Sequence, residues 1–365
     1  MIPAPDFERV AAALRREEPD RVPLCEFLVD PPVKDAFLRS CGATHQHVGN
    51  SLVRADNYDV AADVEFWVRA GYDFMHLAPN YLGLFEGGWN VSEGDYSLYD
   101  DQPVQKAWME EHASIIKTKA DIARYPWPDP DAVDLSDLLE AANLLPDKMK
   151  LTSGTWGIFE TTRALLGFET VAYALYDEPG LVEAVLDRMG DFLYRLFLRV
   201  LELPNLGAVW FADDLSSVDT YFVNPNWYRQ HLFPWMRKYG EAAAAKGLPL
   251  IYHCDGTMWE VLPDVVDMGF SAIQPVEPKA MDIVEVKRQY GNHLCLIGNI
   301  DLGGSLVRGT PAEVEAEVRQ RITDLAPGGG YMVGSSNSVT SYVPLPNYQA
   351  MIDAVFRWGW YPVVA

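Results

Sequence analysis

The chain has 365 residues, 49 % of them hydrophobic, enough for one large α/β barrel or two smaller domains. Its formal net charge of −23 and pI near 4.6 repel nucleic acid and anionic lipid, so neither is expected as a partner. Cys25, Cys41, Cys254 and Cys295 stand far apart with no CxxC, no apolar run reaches the length of a membrane span, and the N-terminus lacks the regions of a signal peptide; the expectation is a cytoplasmic protein with reduced thiols.

Phe7, Val10, Ala11 and Leu14 recur at helical spacing behind Asp6, and Pro19-Asp-Arg-Val-Pro23 stops that helix. Val22 to Leu28 then reads as a first strand, with Glu26 and Asp30 at its end. A helix near Ala61 to Ala70 is closed by Gly71, and Tyr72 to Ala78 is the second strand, carrying Asp73 and His76. Residues 79–105 interrupt the rhythm with glycines, aromatics and acids. Such an insertion directly after a strand is either a lid over a site, offering Tyr81, Phe85 or Trp89 to the pocket, or a surface excursion that pins its own rings.

Met149 to Thr155 is the third strand, followed by Gly154-Thr-Trp-Gly-Ile-Phe-Glu160, and helices fill 161–202. Gly207 to Ala212 is the fourth strand and runs into Asp213-Asp214; a helix is expected from Pro225 to Ala245. The fifth strand begins at Leu248 and ends in His253-Cys-Asp-Gly256. Alternation along it puts His253 and Asp255 on one face and Cys254 on the other. Ser271 to Pro275, Leu294 to Gly298 and Tyr331 to Gly334 complete the set, followed by Glu277, by Asn299-Ile-Asp301 and by Ser335-Ser-Asn-Ser338.

Strands that alternate with helices and end in polar clusters predict a single (β/α)8 TIM barrel over 1–365, with the insertion after its second strand. A doubly wound sheet would also alternate, but no glycine fingerprint follows the first strand. The barrel mouth would collect Glu26, Asp30, His76, Trp156, Glu160, Asp213, Asp214, His253, Asp255, Glu277, Asn299, Asp301, Ser336 and Asn337. So many carboxylates around one histidine suit either a metal with nitrogen and oxygen ligands or acid/base work by crowded carboxyls. Each member also has a structural use, Asp213 as a helix cap and Ser336 as a backbone partner among them. There is no GxSxG elbow and no HExxH, which argues against serine hydrolases and zincins.

The ordered segments Pro19-Asp-Arg-Val-Pro23, Ala70-Gly-Tyr-Asp-Phe74, Leu166-Gly-Phe-Glu169, Asp213-Asp-Leu215 with Asn224-Pro225, His253-Cys-Asp-Gly256, Gly298-Asn-Ile-Asp301 and Gly329-Gly-Tyr-Met-Val-Gly-Ser-Ser-Asn-Ser338 resemble the uroporphyrinogen decarboxylase superfamily over nearly the whole chain. The resemblance implies a single barrel. True uroporphyrinogen decarboxylases hold their acidic substrate with arginines in a segment like Met-Arg-Gln-Ala-Gly-Arg; Cys25-Glu-Phe-Leu-Val-Asp30 stands there and has none. The other branch, the cobalamin-dependent methyltransferases, holds zinc with His-x-Cys and a distant Cys. His253 matches the histidine, Asp255 falls at the first cysteine and Ser335-Ser336 near the second. The resemblance therefore implies methyl transfer between a small methoxylated or methylated compound and a corrinoid on a partner protein. It assigns His253, Asp255, Asp213 and Glu277 to catalysis, and His253, Asp255 and Glu277 to a retained zinc. Tyr81, Trp156, Glu160, Asn299, Ser336 and Asn337 would contact substrate. A decarboxylase acting on another compound and a non-catalytic binding barrel are the alternatives, and a homodimer is compatible with either.

Overall fold

A computed structural model describes residues 3–49, 58–85, 90–93, 97–99, 105–108 and 114–363. Its centre is a parallel sheet of seven strands in the order β1-β4-β5-β6-β7-β8-β9. These are β1 Phe74–His76, β4 Lys150–Trp156, β5 Leu206–Ala212, β6 Leu250–His253, β7 Ala272–Gln274, β8 Cys295–Ile297 and β9 Tyr331–Met332; β2 Asn90–Glu93 and β3 Gln105–Trp108 form a separate antiparallel hairpin. The strands sit close to the runs read from sequence, because each is a short buried apolar stretch bounded by turn residues.

The expected first strand is not a regular strand. Residues 22–29 fill its place through two parallel bridges to the chain after β9, Leu24 with Val333 and Val29 with Val339. The Cys25 amide donates to Val333 O at 2.8 Å, and the Val333 amide to Pro23 O at 2.9 Å. Pro23 has no amide proton, so the ladder cannot continue downward. No strand ladder joins this segment to β1 among the described residues; Phe27 and His76 meet there with ring centroids 5.0 Å apart. The seven-stranded sheet thus curls, and Phe27 and His76 meet between the segment 22–29 and β1.

Two apolar layers follow from alternation. Phe27, Phe74, Ala208, Trp210, Ala212, Ile251, Ala272, Ile297 and Met332 pack inside the curl. Val209, Phe211, Leu250, Tyr252 and Cys254 face the helices. The helix expected over Pro225 to Ala245 is two, Pro225–His231 and Phe233–Ala245, because Pro234 interrupts the amide ladder. At the closed end Asp73 accepts from Arg21 at 3.0 Å and Arg9 at 2.8 Å, tying the Asp20-Arg21 segment to β1.

Of the insertion, the Leu98 amide donates to Ser341 O at 3.0 Å and the Tyr99 hydroxyl to Val343 O. The loop they touch follows β9, and its Ser341 amide donates to Asp30 at 2.7 Å. Trp89 lies outside the described residues. Among the described residues no helix is long and apolar enough to cross a membrane.

Candidate active site

β5 and β6 pair in register, Ala212 beside His253, so the residues that follow them emerge together. Ala208, Trp210 and Ala212 face inward, and continuing that parity brings Asp214 inward too. Ile251 does the same for His253 and Asp255. The outcome is a group in which one ligand-type atom from each of Asp214, His253 and Asp255 lies within 4.8 Å of the others. Cys254, on the opposite parity, is buried in the wall, with Sγ 3.3 Å from Asp255 O.

The hydrogen bonds around this group decide which atoms are left over. His253 Nδ1 contacts Gln274 Oε1, an atom that can only accept. Nδ1 is the donor in that contact, which leaves Nε2 as the ring nitrogen available to a metal. One Asp214 oxygen accepts the Asp255 amide at 2.8 Å. Asp255 Oδ2 accepts from Asn337 Nδ2, while Asp255 Oδ1 is buried with no hydrogen-bond partner among the described residues. One nitrogen and two carboxylates form a harder donor set than thiolates and suit a borderline or hard divalent ion. Burial first, then Asp214, raises the Asp255 carboxyl to about 7, against His253 and Asn337. Glu160, in the first turn of the helix Ile158–Leu166, is driven well above the ordinary range by burial and by Asp214.

The other expected site residues divide. Asp213 is fully buried and faces away from the group. Its two oxygens accept the amides of Phe159 at 2.9 Å and Glu160 at 2.8 Å, so it caps the helix Ile158–Leu166 from another strand. Gly157 permits this, since a Cβ there would lie 2.1 Å from the Asp213 carboxyl carbon. Glu277 accepts the Gly256 amide at 3.1 Å and fixes the turn after His253 rather than joining the three. Tyr81 lies behind the wall against Phe85 and Phe192, its hydroxyl accepting the Trp156 amide at 2.8 Å. Asn299 donates to Val276 O at 2.7 Å, and Ser336 Oγ accepts the Leu302 amide at 2.9 Å. Trp156 lines an open cavity together with Phe27, and Asn337 orients Asp255.

Two participants, Gln274 and Phe27, carried little signal on their own, whereas Glu26 was among the residues expected at the mouth. Gln274 stands opposite His253 in the ladder. Phe27 stacks on His253 with centroids 4.4 Å apart. Glu26, fully buried, lies against Ser335, whose amide donates to Oε1 at 2.7 Å. A polar residue inside an apolar strand run, as Gln274 is, was the available sign.

A pattern described as Uroporphyrinogen decarboxylase (URO-D) matches residues 110–358. The chain belongs to the uroporphyrinogen decarboxylase family. Uroporphyrinogen decarboxylase of Mannheimia succiniciproducens is 21 % identical over 373 residues, covering 96 % of this chain and 97 % of that protein. A methylcobamide:CoM methyltransferase of Methanosarcina barkeri is 29 % identical over 147 residues, 39 % of each chain. A solved methyltransferase from Methanosarcina mazei shares the fold, with a TM-score of 0.66, 19 % identity, and coverage of 96 % and 97 % of the two chains. Family members thus include decarboxylases, and this chain's similarity extends to methyltransferases.

Proposed function

We propose that this family member is a methyltransferase-like enzyme that moves a methyl group from a small methoxylated or methylated compound to a corrinoid on a partner protein. The observation that carries the reading is the group of Asp214, His253 and Asp255 at the carboxyl ends of β5 and β6, with His253 Nε2 and Asp255 Oδ1 left over by the hydrogen bonds. The methylcobamide named for the Methanosarcina barkeri relative supports a corrinoid at the other end of the transfer. Asp214, His253 and Asp255 would hold a divalent ion such as zinc. When bound there, it supplies Lewis acidity toward an ether oxygen or other leaving atom. In the transfer the carbon–oxygen bond breaks and its electron pair stays on oxygen. The methyl carbon bonds to the electron pair of the reduced corrinoid, and the oxygen takes a proton. Glu160, whose carboxyl burial and Asp214 push above the ordinary range, is the proton donor in this reading. Gln274 and Asn337 hold His253 and Asp255 in register.

The second reading is decarboxylation, favoured by curated relatives that match over nearly their full length. Cys25 to Asp30 offers a buried Glu26 and an Asp30 tied to Ser341, with no arginine to receive substrate carboxylates. Substrate carboxylates left without a cationic partner in a closed site oppose binding. Metal analysis of the purified protein, with the spectrum of a reduced corrinoid followed during incubation with methoxylated compounds, separates the two. One ion per chain, lost in His253→Ala, with methyl-corrinoid formation, is expected. An ion-free protein that releases carbon dioxide from a carboxylated substrate overturns the methyl-transfer reading.

A further inference from the structure

Next to Phe27, which stacks on His253, lies an open cavity at the ends of the strands. Phe27, Trp67, His76 and Trp156 bring rings to its lining, beside aliphatic residues such as Leu77 and Leu82. Its polar end is Lys34 with Asp63, an ion pair at 2.7 Å whose side chains are 4 % and 0 % exposed. Phe27 belongs to both the cavity and the site. It stacks on His253 at 4.4 Å and meets Trp156 edge-on at 5.7 Å. A ligand in the cavity is thus one ring away from the candidate metal-binding histidine.

The ion pair decides the charge of that ligand. Asp63 accepts from Lys34 and, at 3.0 Å, from the Tyr58 hydroxyl. Lys34 gives Asp63 one of its three ammonium protons and makes no other hydrogen bond among the described residues. It can therefore still donate to a ligand oxygen. A ligand carboxylate would add an unbalanced negative charge beside Asp63 in a buried place, and a quaternary ammonium would meet the Lys34 ammonium. The pair, already neutral as a unit, admits a neutral acceptor at least loss. The flat indole and phenyl walls favour a flat partner.

We infer that this cavity binds a neutral aryl methyl ether, its ring among Phe27, Trp67 and Trp156 and an oxygen on Lys34. The inference rests on the methyl-transfer reading for the use of that ligand, but not for its binding. The test is calorimetric titration of the purified full chain with three probes of one shape: 3-methoxyphenol, 3-methoxybenzoate and (3-methoxyphenyl)trimethylammonium. The neutral probe should bind about ten-fold or more tighter than either charged one. Leu82→Trp, a cavity-lining change away from the carboxylates, should abolish that binding with the circular dichroism spectrum and the metal content unchanged. The double variant Lys34→Met/Asp63→Leu, which leaves no lone buried charge, should weaken the phenol by about ten-fold and narrow its advantage over the charged probes. Tighter binding of a charged probe, no binding of any, or binding untouched by Leu82→Trp overturns the inference. Absence of metal and of methyl transfer with phenol binding intact would overturn the functional reading instead and leave this one standing.

Discussion

Glu26 should behave as a carboxylic acid, not a carboxylate, and Glu26→Gln exposes this. Ser335 Oγ lies 2.6 Å from Glu26 Oε2 and 2.5 Å from the carbonyl oxygen of Asn337. A hydroxyl has one proton, and a carbonyl can only accept. Ser335 thus has two acceptors for one proton, Glu26 Oε2 and the carbonyl, and a proton on Glu26 relieves that shortage. Burial acts in the same direction and raises the Glu26 carboxyl to about 8 from an ordinary 4.5, the Ser335 bonds opposing it. Between those values the folded chain holds a proton that the unfolded chain has released. The contribution is full below about 4.5 and is lost as pH rises through about 8. At roughly 1.4 kcal/mol per pH unit, and with some relaxation of the interior, the loss from pH 5.5 to 8 is about 2–3 kcal/mol. Glutamine reproduces the neutral acid, its oxygen taking the Ser335 amide and its NH2 donating to Oγ. Denaturant unfolding of both proteins at pH 5.5 and 8 should show the variant gaining that amount on the native protein at the higher pH. Parallel pH dependence, or a variant weaker at pH 8 than at pH 5.5 by as much as the native chain, would refute the protonated acid.

His253→Ala should remove bound metal and activity together, whereas Cys254→Ser should keep both and lower stability by about 1–2 kcal/mol through burial of a hydroxyl; elemental analysis and unfolding curves check this. Asp213→Asn should lower stability by roughly 2–3 kcal/mol, because an amide cannot accept from both helix amides, and should leave metal content intact. Asp214→Asn should do the reverse, and loss of metal from Asp213→Asn alone would exchange the two roles. Uroporphyrinogen should be neither bound nor decarboxylated, and coproporphyrinogen formed at an ordinary enzymatic rate would contradict the reading of Cys25 to Asp30.

Much of the fold is visible in the sequence because each sheet strand is a short apolar run with a polar end, as in Gly207 to Ala212 before Asp213-Asp214. The first position of the barrel is less so. Val22 to Leu28 has the composition of a strand, and what limits it to bridges is Pro23 together with its neighbour, the three-residue β1. Sequence pattern shows which residues are apolar; it does not show which backbone groups find a partner across a seam.

The site shows the same division one level up. Parity placed His253 and Asp255 together and Cys254 behind them, and the structure has that arrangement. The same rule applied to β5 selects Asp214, since Ala208, Trp210 and Ala212 share its face, whereas the family position drew attention to Asp213. Parity is local and needs only an unbroken strand, so it carries one or two residues past the strand end. Glu277 lies beyond that reach: it follows Pro275 and Val276, and Val276 has φ +53. There the chain turns, alternation no longer fixes direction, and the carboxylate swings onto the Gly256 amide. A side chain one residue past a strand can therefore be assigned to the mouth from sequence, while one past such a turn needs the structure.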